Sequence, residues 1–140
     1  MGYYVRYFAD AIVRLKEIGG GLVGIDPTFK IDGGDLLRGG ELLGEVEINA
    51  SGSDLFDEDL RAWLGQIERA GGPAAQRVIG RLQGTKSIVT LHVLDGERAP
   101  NVTWEMLGPL WSVLPALSTG LTQMDGQGVY DGSELVVPIA

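Results

Sequence analysis

The segment that most constrains the fold is an apolar stretch at residues 85–95, with the sequence TKSIVTLHVLD. From position 88 to position 94 every residue is apolar except Thr90 and His92. A short apolar run of this kind, bounded by Gly84 on one side and an Asp-Gly pair on the other, is typical of a strand covered on both faces. The sequence therefore predicts a sheet with residues 85–95 as a central strand.

Alternating apolar and polar residues predict further strands. In residues 41–49, Leu42, Gly44, Val46 and Ile48 alternate with polar residues, which is typical of an antiparallel strand with one face toward water or a partner. Pro27 excludes a central strand around it but permits an edge strand or a bulge. The predicted extended segments are residues 2–9, 22–32 (edge strand or bulge), 41–49, 120–124, 127–130 and 134–139. Residues 35–38 are predicted only as a short segment between two glycine turns.

A three-to-four-residue apolar period predicts the helices. The first is predicted to begin with Asp10 as its N-cap and to end at the triple glycine of residues 19–21. In the last helix, capped by Thr103, two prolines cannot donate a backbone hydrogen bond, so we expect a kink or a break at Gly108-Pro109. The predicted helices cover residues 10–18, 53–70, 73–83 and 104–117.

The length of 140 residues and this order of elements indicate one domain, residues 1–140, of the α+β class. We expect helices packed on one face of an antiparallel or mixed sheet. A ferredoxin-like core with additional terminal strands is one arrangement that fits.

Composition excludes several classes of protein. No apolar run approaches the ~20 residues needed to cross a bilayer, and charges at Arg6 and Asp10 interrupt any signal peptide, so we expect a cytoplasmic protein. The absence of cysteine excludes disulfides and thiolate metal sites. A net charge of −8 argues against nucleic acid and anionic membranes as partners, but permits a basic protein partner.

Two glycine patterns and two acidic clusters resemble ligand-binding motifs. Residues 19–24 match G-x-G-x-x-G, and residues 80–87 approach a P-loop, but neither runs from a strand into a helix N-terminus, as phosphate binding requires. The acidic residues at 57–59 and 125–131 lack the alternating ligands of a calcium loop. The sequence therefore predicts neither a cofactor nor a metal.

The candidate ligand patch is centred on His92, the one histidine of the chain. Histidine is the side-chain type whose unperturbed pKa lies near neutrality. On a strand, His92 shares a face with Thr90. Glu45 or Glu47 could orient the imidazole if the two strands are neighbours, and Arg6 on the first strand could join them. The alternative interpretation is a structural histidine on a sheet face, because no nucleophile constellation surrounds it.

Trp104 lies opposite the predicted buried stripe of its helix and is the candidate interface residue. We therefore expect a non-catalytic binding or protein-interaction domain, either homodimeric or recognising a basic partner. The alternative is a small-ligand-binding protein or a weak acid–base enzyme that uses His92 with Glu45 or Glu47.

Overall fold

The sheet around residues 85–95 has eight strands in the computed structural model, which describes residues 2–140. Every pair of neighbouring strands is antiparallel. In chain order the strands are β1 (Gly2–Ala9), β2 (Phe29–Asp32), β3 (Asp35–Arg38), β4 (Glu41–Ala50), β5 (Ser87–Leu94), β6 (Gly120–Met124), β7 (Gly128–Asp131) and β8 (Glu134–Pro138).

Within the sheet the strands lie in the order β2-β3-β4-β5-β1-β6-β7-β8, so the predicted central strand β5 lies between β4 and β1. Five helices complete the described part of the chain. They are α1 (Leu15–Ile25), α2 (Asp54–Ala70), α3 (Gly72–Leu82), α4 (Pro100–Met106) and α5 (Leu110–Leu117). The α+β class and the antiparallel sheet are confirmed.

Helices cover both faces of the sheet rather than one, because β5 contributes buried apolar residues to a core on each side. On the front face, which carries Val89 and Val93 of β5, the helices α1, α4 and α5 pack over the core. On the back face, which carries Ile88, the helices α2 and α3 pack over a second core. Each face of β5 therefore has its own helical layer.

The four inner strands follow a split βαβ path. Because β1 and β4 both run antiparallel to β5, they are parallel to each other with β5 between them, and α1 lies on the path that joins them. Likewise β5 and β6 are parallel with β1 between them, and α4 and α5 connect them. This connectivity is that of a ferredoxin-like core, to which the chain adds outer strands and the back-face helices.

The first helix differs from its prediction. Asp10 is not its N-cap: α1 begins after Arg14, whose backbone N–H donates to the Glu17 carboxylate at 2.9 Å. The helix then continues through the three glycines that were predicted to end it. A Cβ atom on Gly21 would lie 2.7 Å from Cγ1 of Val113 in α5. Glycine here permits close contact between two helices instead of ending one.

The predicted break in the last helix is confirmed at Gly108-Pro109, which separates α4 from α5. The predicted N-cap is wrong, because α4 begins earlier, with Pro100 in its first turn, where a missing N–H is harmless. Thr103 is instead fully buried inside α4, and its hydroxyl oxygen accepts a hydrogen bond from Nε of Arg98 at 3.2 Å.

The face assignment in β4 also needs a correction at one residue. Leu42 was predicted on the buried face, but it is 40% exposed, whereas Leu43 is fully buried. The register between β3 and β4 shifts between Leu36 and Leu37, and this bulge moves the apolar face by one residue. None of the helices described for residues 2–140 has the length and apolar character required to cross a membrane.

Candidate functional site

Two regions of the described chain combine polar and aromatic side chains. We call the first the polar patch; it consists of the five predicted residues Arg6, Glu45, Glu47, Thr90 and His92. All five lie on the back face, in the part of β1, β4 and β5 beyond the apolar back-face core. The strand register therefore brings the predicted residues to one surface.

The register arranges the polar patch in two rows across three strands. In the first row Glu45, His92 and Tyr4 lie opposite one another. The His92 ring stacks on the Tyr4 ring with centroids 4.4 Å apart, and its Nδ1 lies 3.8 Å from Oε1 of Glu45. That distance allows an ion pair when the imidazole is protonated, but it exceeds that of a hydrogen bond.

In the second row, Glu47, Thr90 and Arg6 lie opposite one another. The Arg6 guanidinium turns toward β6, where its Nη1 donates to Oε1 of Gln123 at 2.7 Å and to Oδ1 of Asp125 at 3.0 Å. Its charge is therefore matched by Asp125, and neither glutamate of the patch is an ion-pair partner of Arg6 among residues 2–140.

A tryptophan of α2 covers the arginine from above. The guanidinium carbon of Arg6 lies 5.0 Å from the centre of the Trp63 ring and 5.2 Å from that of Tyr4, within the range of cation–π contact. Nε of Arg6 and Oγ1 of Thr90 are buried and have no hydrogen-bond partner among residues 2–140. Trp63 and Tyr4 were not predicted members of the site, because neither contact follows from spacing along one element.

The second region is a cavity of about 1100 Å³ on the front face, which we call the aromatic groove. The helices α4 and α5 form one wall, and β1, β6, β7, the turns around β7 and Arg81 of α3 contribute the rest. Its aromatic lining residues are Tyr3, Tyr7, Trp104, Trp111 and Tyr130.

The break between α4 and α5 creates the wall of the groove. Trp104 and Trp111 are seven residues apart, which in a straight helix places them ~10.5 Å apart along the axis. Because the chain turns at Gly108-Pro109, the two indole rings instead stack with centroids 4.9 Å apart. Trp104, the predicted interface residue, thus lies half-buried in the groove wall.

Tyr7 lies on β1 in the base of the groove. Its hydroxyl donates to the backbone oxygen of Ser118 at 2.6 Å. Burial, followed by the nearby carboxylate of Asp10, raises the pKa of Tyr7 to about 12. Gly120 on β6 allows the close approach of the ring, because a Cβ atom there would lie 2.9 Å from Cζ of Tyr7.

The groove is apolar at its centre and charged at its ends. At one end lies Arg81 of α3, which pairs with Asp131 at 3.4 Å and with Asp10 at 3.7 Å, at the C-terminal ends of β7 and β1. At the other end lies Asp125, already bound to Arg6. The five residues of β6 between these ends span ~17 Å.

The glycine motif of residues 19–24 lies inside α1, so its amides belong to a helix interior and not to a phosphate-binding turn. Gly19 and Gly20 line a smaller cavity of about 370 Å³ between α1 and β2. Among residues 2–140, no group of three His, Cys, Asp or Glu side chains is placed to hold a metal ion.

Comparison with protein-family models, with curated proteins and with solved structures finds no match for this chain. The two regions are therefore weighed by geometry alone. The volume of the aromatic groove, about 1100 Å³, lies just above the ~300–1,000 Å³ typical of small-molecule sites. Neither of the two cavities described above is lined by His92.

Proposed function

We propose that the protein is a non-catalytic binding domain that holds an apolar, ring-containing small molecule in the aromatic groove. The observation that carries this proposal is the stacked pair of Trp104 and Trp111 along a cavity of about 1100 Å³. Large, mostly apolar cavities with a few polar groups are where small molecules bind in most proteins. Aromatic walls add stacking energy to the burial of apolar surface.

The position of His92 supports a binding function over a catalytic one. His92 lies on the back face, whereas the groove opens on the front face beside Tyr3, Tyr7 and Met124. A ligand in the groove is thus separated by the sheet from the one side chain whose unperturbed pKa lies near neutrality. General acid–base catalysis needs that group within hydrogen-bond reach of the substrate.

A weak acid–base activity of His92 with Glu45 is the second candidate function. It is supported by the register, which places the two side chains opposite each other at 3.8 Å. It ranks second because Glu45 is 59% exposed and the pair lines no described cavity.

Three further proposals come from the sequence: a cytoplasmic location, self-association through Trp104, and a basic protein partner. The net charge of −8 supports a basic partner. Trp104 contributes to the groove wall while part of its surface stays exposed, so one residue could serve both a ligand and an interface. Light scattering of the full chain measures its oligomeric state.

The experiment is a titration of the full chain with 1-naphthylmethanol, a neutral bicyclic probe, followed by calorimetry. We expect a dissociation constant of roughly 10⁻⁴–10⁻³ M, as ligand efficiency allows for a probe of this size. Trp104→Ala should weaken binding about tenfold, because it removes one half of the stacked wall.

The matched control is Trp63→Ala, which removes the same side chain from the back face. It should leave the affinity of the probe within about twofold, since Trp63 lies across the sheet from the groove. No binding by the folded wild-type protein, or equal losses in the two variants, would contradict the proposal.

A further inference from the structure

We propose that the aromatic groove selects organic cations, so that its ligand is an apolar ring system carrying an ammonium group. This inference rests on the proposed function and adds the charge of the ligand to it. It is carried by the balance of charges around the groove and by the aromatic rings that line it.

Four carboxylates and two guanidinium groups border the groove or the side chains that line it. Arg6 matches Asp125 at 3.0 Å, and each oxygen of that carboxylate already accepts a hydrogen bond. The four carboxylates belong to Asp10, Asp95, Asp125 and Asp131. The positive charges of Arg6 and Arg81 balance two of them, which leaves two negative charges unmatched.

At the Arg81 end, two carboxylates share one guanidinium group. Both ion pairs are long, at 3.4 Å to Asp131 and 3.7 Å to Asp10, so the three charges together leave one negative charge. The pKa of the neighbouring Tyr7 hydroxyl agrees with this balance of charges. Its pKa is raised to about 12 first by burial and then by Asp10, and the opposing effect of Arg81 is smaller than that of Asp10. Arg81 lines the groove and both carboxylates pair with it, so this end as a whole carries one net negative charge.

At the opposite end, Asp95 follows β5; it does not line the groove itself, but its charge acts on Tyr3, which does. Oδ1 of Asp95 is buried and has no hydrogen-bond partner among residues 2–140. Burial and, after it, the charge of Asp95 raise the pKa of the Tyr3 hydroxyl above its ordinary value. A carboxylate short of donors beside an aromatic wall favours a positively charged ligand group.

The aromatic rings act in the same direction. The face of an indole or phenol ring carries partial negative charge and attracts an ammonium group within about 6 Å of its centre. A neutral ligand gains from Trp104, Trp111 and Tyr3 only by burying its apolar surface against them. A cation also gains electrostatic attraction to the ring faces.

Three probes of one shape test the proposal by calorimetry at pH 7 on the full chain: 1-naphthylmethylamine, a cation; 1-naphthylmethanol, neutral; and 1-naphthylacetate, an anion. We expect the cation to bind about tenfold more tightly than the alcohol and the anion to bind more weakly than both. The preference should decrease at high salt, because the carboxylates lie near the surface.

Asp95→Asn should reduce the preference for the cation over the alcohol, measured as the ratio of the two dissociation constants, about threefold. The matched control Asp59→Asn removes an equal charge from α2 on the other face of the sheet and should leave the preference intact. Equal affinity for cation and alcohol, or tighter binding of the anion, overturns the inference while the proposed function stands. Failure of all three probes to bind overturns the proposed function itself.

Discussion

The polar patch and the aromatic groove lie on opposite faces of one sheet and are built in different ways. Strand register alone assembles the patch, and its central pair is open to water, with His92 30% and Glu45 59% exposed. The groove needs two helices held against the sheet at a fixed distance, and Tyr7 at its base is only 5% exposed. Changes in the groove should therefore alter stability and binding together, whereas changes at the exposed pair His92 and Glu45 should alter neither by much.

The largest expected effect comes from the contact that holds α5 in place. In Gly21→Ala the added Cβ atom would lie 2.7 Å from Cγ1 of Val113, a β-branched residue with little freedom to rotate in a helix. We expect a loss of about 1–3 kcal/mol in the free energy of unfolding, measured by urea denaturation. Binding of the naphthyl probes should weaken in parallel, because α5 carries Trp111.

The matched control for that change is Gly24→Ala in the same helix, where an added Cβ atom meets nothing within 4 Å. There the substitution should stabilise the protein by about 0.5–1 kcal/mol, since alanine favours the helix and restricts the unfolded chain. If both variants gain stability, the helices are not in close contact and the groove is not rigidly built.

The same contact shows what the sequence could and could not predict. Six strands close to their observed bounds and the break at Gly108-Pro109 were predicted, because strand alternation and proline chemistry are local properties. Of the predicted extended segment 22–32 only Phe29–Asp32 is a strand, and its first four residues belong to α1. The ends of α1 were not, because glycine usually ends a helix and only the distant Val113 explains its presence inside one. Local pattern does not encode which helix approaches which glycine.

The two candidate sites also differ in whether local sequence pattern predicts them. The polar patch followed from one assumption, that β4 and β5 are neighbours with matching faces, and their pairing places Glu45 opposite His92. The groove was not predicted. Its wall depends on a turn that brings Trp104 onto Trp111, and no periodic pattern predicts that stacking.

A medium effect is expected from the base of the groove at high pH. In the folded protein the pKa of Tyr7 is raised to about 12, whereas in the unfolded chain it ionises near ~10. Between these values the unfolded chain binds fewer protons, so stability decreases as the pH increases. The contribution of Tyr7 to the free energy of unfolding is thus fully present below pH ~10 and should decrease by about 1 kcal/mol by pH ~11.

Tyr7→Phe isolates this contribution, because the other titrating groups affect both proteins alike. At pH 8 the variant should be less stable by about 1 kcal/mol, since it loses the hydrogen bond to Ser118. The difference in the free energy of unfolding between the two proteins, measured by urea denaturation, should shrink toward zero at pH 11. If that difference stays constant from pH 8 to pH 11, the tyrosine is more hydrated than the rest of the groove base.

The smallest effect is expected in the polar patch and bears directly on the second candidate function. Exposed pairs such as His92 and Glu45, at 3.8 Å, contribute about 0–0.5 kcal/mol. A double-mutant cycle of Glu45→Gln and His92→Asn at pH 7 should therefore give a coupling energy below ~0.5 kcal/mol, further reduced by salt. Glu47→Gln combined with His92→Asn is the control, because Glu47 faces Thr90 and not the imidazole.

A coupling energy above ~1.5 kcal/mol between Glu45 and His92 that does not decrease with salt would describe a desolvated pair. The contrast between an enclosed groove and an open patch would then fail, and His92 would become the better candidate for chemistry.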